Sequence, residues 1–204
     1  GNPVKDDLLA KGIKRQTFVD IWINGKVANW KDVVPGAKAF GKTDLHIYTR
    51  SDAAGAPETW AAYLGKKQED LLGIGVYGDP GVAEAVRKAP LGIGFNNIGY
   101  AYDAKTRKQL EGLRVIPIDI NGNGKIDPEE SFYDTLDDVT RAIAAGIYPS
   151  PPARQLNLVT LREFKGVTKD FVKWILTDGQ RYAPEAGYVP LSKEKVQSEL
   201  GKLG

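Results

Sequence analysis

Arg50-Ser51-Asp52-Ala53-Ala54-Gly55-Ala56 places a planar cation directly ahead of a run of small residues. If that run opens a helix, its first N–H groups have no intrahelical acceptor and lie at the positive end of the helix dipole, where an oxyanion is stabilised. Gly55 permits close approach of a ligand to the backbone, and Arg50 offers a fixed fork of donors to phosphate or sulfate. Ser51, Asp52, Ala54 and Ala56 join Arg50 and Gly55 as the candidate ligand-binding set. The same residues also suit a plain strand-to-helix turn in which Arg50 only pairs with Asp52.

A second constellation runs from Asp119 to Glu130 and fits the calcium-loop pattern at every oxygen position. Asp119, Asn121 and Asn123 would supply side-chain oxygens, Lys125 its backbone carbonyl, Asp127 a ligand through water and Glu130 a bidentate carboxylate. Gly124 makes the sharp turn and Ile126 plugs the loop onto the core. The element before the loop reads as a strand, so the expectation is a structural Ca2+ in a strand–loop–helix unit. The alternative is an Asn-Gly turn that only resembles the pattern.

Other candidates carry less. His46 is the one histidine, set in an apolar strand, and with no cysteine and no Gly-x-Ser-x-Gly elbow it reads as a strand residue and Ser-His-Asp hydrolysis has little support. Gly73-Ile74-Gly75-Val76-Tyr77-Gly78 reads as a strand or turn, because Pro80 and Gly81 interrupt a dinucleotide-type helix start. Asn96 and Asn97 suit hydrogen bonds to a bent backbone or to a ligand. Arg154, after Pro151-Pro152, reads as a surface arginine, with the cleft as its alternative position. Trp30, Trp60 and Trp174 read as core anchors.

These residues need a scaffold of adequate size, and 204 residues with 42% hydrophobic content supply one. Lys and Arg total 28 against 26 Asp and Glu, which excludes the broad basic face that nucleic acid requires. No run approaches the roughly 18 apolar residues of a membrane span. The opening residues lack a signal-peptide core, so any export signal is expected to have been removed or to lie upstream.

Helical spacing is expected from Arg15 to Ile23, from Pro57 to Leu64, from about Pro80 to Arg87, from Phe132 to Ala145, from Lys165 to Thr177 along a Phe171, Trp174 and Ile175 stripe, and after Ser192. Strand character is expected at Leu45–Thr49, in a bent stretch from Gly92 to Tyr100, at Leu113–Ile118 and at Leu156–Thr160. Trp30, Pro35 and Gly36 are assigned to a loop. Alternation of the two types predicts an α/β layer architecture.

Arg50-Ser51-Asp52 ahead of a small-Gly-small turn and Trp60 resembles the anion loop of the periplasmic phosphate-binding proteins of ABC importers. Phe18 to Lys26 followed by Asn29-Trp30 is similar to that family's early helix and Gly-Lys-x-x-x-Trp turn, and Gly92-Ile93-Gly94-Phe95 to its Gly-x-Ile-Gly-aromatic strand. Phe171 to Gln180, then Gly187-Tyr188-Val189-Pro190-Leu191, is similar to its C-terminal signature. The resemblance implies a type II periplasmic-binding-protein-like fold of two α/β lobes joined by hinge strands. Residues 3–100 would form the lobe carrying the anion loop, and residues 101–204 part of the other lobe with the 119–130 loop. It further implies an extracytoplasmic monomer, a binder and not an enzyme, that binds phosphate or a related oxyanion and docks on a membrane permease, with Arg50 on the anion and the N–H groups around Ala54, Gly55 and Ala56 cradling it. Where that family has Ser-Gly-Thr, this chain has Ala54-Gly55-Ala56, and the segment forming much of its first lobe has no counterpart here. A calcium-stabilised interaction module of the same fold that has lost ligand binding is the alternative from another class.

Overall fold

The computed structural model of the chain describes residues 2–36 and 43–203. Helix α1 (Lys5–Lys11), strand β1 (Ile13–Lys14) and helix α2 (Arg15–Trp22) open it. Then come α3 (Trp30–Val33), β2 (His46–Arg50), α4 (Gly55–Leu64), β3 (Ile74–Val76), α5 (Gly78–Lys88) and β4 (Gly92–Ile93). Strand β5 (Ile118–Asp119) and helices α6 (Leu136–Ala144), α7 (Gly166–Leu176) and α8 (Lys193–Gly201) complete the order.

Strand β2 is the middle of a three-stranded parallel sheet of order β3-β2-β4, with Arg50 opposite Val76 and Ile47 opposite Ile93. Parallel neighbours need crossovers, and α4 and α5 supply them. The carboxyl ends of β2 and β3 therefore lie side by side and feed the entrances of α4 and α5, the edge at which open α/β sheets hold ligands. A separate parallel pair joins β1 to β5, with Ile13 opposite Ile118. The mixed α/β class expected from the sequence is the class observed.

Two compact units result, residues 1–154 and residues 155–204. In the first, one cluster of buried side chains is drawn from residues 4–95 together with Ile118, and a second comprises Tyr102, Phe132, Tyr133, Leu136, Val139 and Ala142. The lobe boundary expected near residue 100 lies inside the first unit. Trp60 anchors α4 in the first cluster, its ring centroid 5.0 Å from Phe18, 5.3 Å from Trp22 and 5.7 Å from Phe95. Gly65 ends α4 in the left-handed conformation at φ 79°, and the N–H groups of Gly65 and Lys66 close the carbonyls of Ala62 and Ala61. Packing and cap together fix where the α4 entrance stands.

Several elements differ from the sequence expectation. Trp30 lies in a short helix, capped by the Asn29 side chain that accepts the Lys31 N–H at 3.0 Å, not in a loop. Helix α4 begins at Gly55, ahead of Pro57, because Ala54 is extended and serves as its cap position. Helix α6 begins only at Leu136, where Thr135 Oγ1 accepts the Asp138 N–H at 3.1 Å. Only Ile118 of the 113–118 stretch enters a strand: the Val115 N–H goes to the Gln109 side chain at 2.8 Å and the Ile118 N–H to the Tyr133 hydroxyl at 3.2 Å. Side chains there take the donors that a ladder would use. The Gly92–Tyr100 strand stops after Ile93, and Asn97 starts a turn whose carbonyl accepts the Tyr100 N–H.

In the second unit, residues 156–160 form no strand, and Leu158, Val159 and Leu161 are exposed. Helix α7 buries Val172, whereas Phe171 and Trp174 stack on each other in exposed positions. The expected apolar stripe is therefore not the buried face of α7, and Trp174 is not a core anchor as Trp30 and Trp60 are. Gln180 donates to the Ile175 carbonyl and accepts the Leu191 N–H, each at 2.8 Å, which ties α7 to the chain ahead of α8. The Ser192 hydroxyl caps α8. No helix among the described residues is long and apolar enough to cross a membrane.

Candidate functional site

Arg50 ends β2 as a buried residue, while His46 at the other end of the strand is exposed. Its Nε donates to Asp52 Oδ1 at 2.8 Å and its Nη2 to Asp52 Oδ2, a bidentate fork, while Nη1 donates to Asp79 Oδ1. Asp79 is held in turn, because Asn97 Nδ2 donates to its Oδ2 and Asn96 Nδ2 to its carbonyl, both at 2.7 Å. Asp52 Oδ1 also accepts the Gly78 N–H at 3.0 Å, from the entrance of α5. The Arg50 fork, followed by that N–H, holds the Asp52 carboxyl far below the usual carboxylate range, and the hydrogen bond to Asp52 raises Arg50 above its own ordinary value. Three of the five guanidinium N–H groups are thus committed to carboxylates, and two are left for a ligand.

The entrance of α4 supplies backbone donors beside this network. Ala54 makes no side-chain cap, Pro57 has no N–H, and the Glu58 N–H reaches back to the Ala54 carbonyl at 3.3 Å. The N–H groups of Gly55 and Ala56 consequently have no acceptor among the described residues, as expected for the first turn of a helix. Ala54 differs from them, since its N–H points to Gln68 Oε1 at 3.4 Å while Gln68 Nε2 holds the Asp52 carbonyl at 2.8 Å. Ser51 is exposed and gives its N–H to the Val76 carbonyl at 3.0 Å. The structure therefore gathers Arg50, Asp52, Gly55 and Ala56 at one end of the sheet, and adds Asp79, which the sequence did not reveal, held by the Asn96 and Asn97 that the sequence singled out for hydrogen bonding.

The loop from Asp119 to Glu130 closes on itself through hydrogen bonds. Asp119 accepts the N–H groups of Gly122, Asn123 and Gly124, and Glu130 those of Ile120, Asn121 and Asp127. Asp127 pairs with the Lys125 ammonium at 2.6 Å and accepts from the Asn121 and Asn123 amides. Lys125 is the main influence holding Asp127 below the usual carboxylate range. Among the described residues, no three carboxylate or imidazole groups converge on one point. Ile126 docks the loop, donating its N–H to the Ala10 carbonyl at 2.9 Å, and its Cδ1 fills the space where a side chain at Gly12 would start.

The Gly73–Gly78 stretch is β3 running directly into α5, so the strand-to-helix context judged absent from the sequence is present. Gly75 nevertheless lies within the strand, opposite Thr49, where the glycines of a dinucleotide loop would stand beyond it.

Sequence comparison decides the family. A family model described as a PBP superfamily domain matches residues 1–179. The chain belongs to the PBP superfamily. Its curated relatives include the phosphate-binding protein PstS of Methanocaldococcus jannaschii, 25% identical over 94% of this chain and 60% of that protein. Another is the PstS of Xylella fastidiosa, 24% identical over 88% of this chain and 56% of the relative. The chain thus spans somewhat over half the length of the curated relatives it matches. Among solved structures, a possible phosphate-binding protein from Planctomyces limnophilus superposes with a TM-score of 0.57 at 14% identity, over 95% of this chain and 64% of that one. A putative phosphate ABC transporter substrate-binding protein from Clostridium perfringens, with bound phosphate, gives 0.57 at 17% identity over 90% of this chain and 64% of its own length. At such identities the structures establish the superfamily's fold.

Proposed function

We propose that the chain binds phosphate or a closely related oxyanion at the α4 entrance, as part of an extracytoplasmic solute-binding protein that delivers its ligand to an ABC-type permease. The observation that carries this reading is the meeting of a buried, oriented Arg50 with two acceptor-free amides, Gly55 and Ala56, in a chain whose relatives are named for phosphate binding. Arg50 contributes directed donors at a fixed position, and the amides contribute donors that need no reorganisation when the anion arrives. Binding and release of an intact ligand require no bond-making, so the reading is of a binder without catalysis. Calorimetric titration with phosphate and sulfate tests it, with Arg50→Ala as the variant that should lose the heat.

A structural Ca2+ in the 119–130 loop belongs to the same proposal. It is supported by the ligand pattern and by two carboxylates, Asp119 and Glu130, that are buried without an ion-pair partner among the described residues. Coordination would require Asp127 to exchange Lys125 for the ion or its water and Glu130 to turn from backbone donors to the metal. The result would tie β5, whose last residue is Asp119, to the segment that carries Glu130.

A further inference from the structure

The anion site described above has a charge deficit. Arg50 faces two carboxylates, Asp52 and Asp79, so this group of three carries a formal charge of minus one at neutral pH. The donors are well aimed, but the net field of the group opposes a dianion. Two alanines flank Gly55, so no hydroxyl beside it adds to the N–H donors.

One cation is placed to cancel this deficit. The guanidinium of Arg154 lies against Gly55, so close that a Cβ added there would stand 2.6 Å from its Cζ and 3.0 Å from its Nη1, with Nη2 nearer still. A side chain at position 55 would displace the guanidinium from this place. The segment leading to Arg154 is constrained: Tyr148 packs against both buried clusters of its unit, the Ala153 N–H donates to the Pro149 carbonyl at 3.0 Å, and Ser150 Oγ donates to the Ala153 carbonyl at 2.8 Å. Pro149, Pro151 and Pro152 further reduce the freedom of this turn. Arg154 itself makes no hydrogen bond or ion pair with the described residues. A guanidinium at the positive end of a helix, paired with no carboxylate, is electrostatically unfavourable until an anion stands between the two.

We propose that Arg154 is a ligand-contacting residue that cancels the net negative charge of the anion site and sets its preference for a dianionic oxyanion. The proposal rests on the binding reading given above. With Arg154 included, the formal charge around the entrance rises to zero before the ligand enters, and an incoming oxyanion is met by the Arg154 fork as well as by the Gly55 and Ala56 amides and the remaining Arg50 donors. Arg154 would thereby provide part of the charge-assisted bonding that the alanines at 54 and 56 cannot.

The test is calorimetry of the full chain with inorganic phosphate and with sulfate, for the wild type, Arg154→Ala, Arg154→Lys and, as a control for net charge, Arg162→Ala. Arg154 is exposed, so its removal should leave the melting temperature unchanged. The proposal expects Arg154→Ala to weaken both anions about ten- to a hundredfold, the range of a charge-assisted hydrogen bond, with Arg154→Lys between it and the wild type and Arg162→Ala unaltered. Wild-type binding that Arg154→Ala retains within about twofold overturns the role of Arg154 and leaves the α4 site standing. Equal weakening by Arg162→Ala overturns it as well, since net charge alone would then be the cause. Tighter binding by Arg154→Ala would show that the guanidinium occupies the ligand's place, again contradicting the proposal. A folded wild-type chain that binds neither anion removes the α4 reading and this inference together.

Discussion

Asn97 Nδ2 donates to Asp79 Oδ2 at 2.7 Å, and the other oxygen of the same carboxylate receives Arg50 Nη1. A residue beyond β4 thus fixes the acid that orients the cation at the end of β2. Replacing Asp79 by Asn removes one of two negative charges facing Arg50 and one charge-assisted bond. Two opposite effects are expected: stability falls by about 1–3 kcal/mol, and phosphate affinity rises several-fold as the local field becomes less negative. Thermal melts and calorimetry on the one variant read both, and a fall in affinity alongside unchanged stability would refute the arrangement.

The hydrogen bonds of Arg50 and Gly78 keep Asp52 ionised well below the ordinary carboxylate range. A carboxyl whose folded pKa is depressed contributes stability above its unfolded value, about 4, and that contribution is lost only as pH falls further, toward the folded value. Between about pH 5 and 8 the charge of Asp52 is therefore constant, and any change in phosphate affinity over that window should follow the ionisation of phosphate itself. Parallel titrations with sulfate, a dianion throughout, should be flat. A sulfate profile that breaks near pH 5 would place Asp52 in a different environment.

Tyr102 and Tyr133 belong to the second buried cluster and Tyr148 packs against it, and desolvation is the largest cause raising each of their hydroxyls above the ordinary value. Groups held protonated in this way stabilise the fold below the unfolded tyrosine pKa of about 10, and the contribution disappears as pH rises beyond it. Tyrosinate absorbance should show an exposed class ionising near pH 10 and a second class appearing only as near-ultraviolet circular dichroism is lost. Complete ionisation with the dichroism intact would contradict the burial.

How much of this was readable beforehand depended on whether a signal was local. The Phe18, Ile21 and Trp22 spacing gave α2 within a residue, and the alternation ending in Arg50 gave β2, because one face of each element meets the core. The 113–118 and 156–160 stretches carry the same composition, yet a strand exists only where a ladder partner is present, and composition does not show the partner. Arg50 and the α4 entrance were legible as a strand end followed by small residues. Asp79 was not, and Arg154 was open to a surface or a cleft position, since they lie 29 residues from Arg50 and 99 from Gly55 along the chain, separations that only the tertiary structure closes.

Thr49 Oγ1 and Trp60 Nε1 are buried without a hydrogen-bond partner among the described residues. An unmet hydroxyl costs more than a methyl of the same shape, so Thr49→Val should leave stability unchanged or raise it by up to about 1 kcal/mol. Trp60→Ala should lose about 3–5 kcal/mol through the cavity it opens among Phe18, Trp22 and Phe95. Denaturant melts of the two variants separate these cases, and a clear loss on Thr49→Val would indicate that the hydroxyl has a partner.

For the 119–130 loop, added Ca2+ should raise the melting temperature of a chelator-treated sample, and Glu130→Gln should abolish the increase. A metal-independent melting curve would rule out a calcium role for this loop.

The most direct measurement is titration of the folded chain with inorganic phosphate, wild type beside Arg50→Ala. The account predicts saturable heat at one site per chain for the wild type, a matching rise in melting temperature, and neither effect in a folded Arg50→Ala variant. Saturable binding that survives the loss of Arg50, or a well-folded wild type indifferent to phosphate, would contradict it.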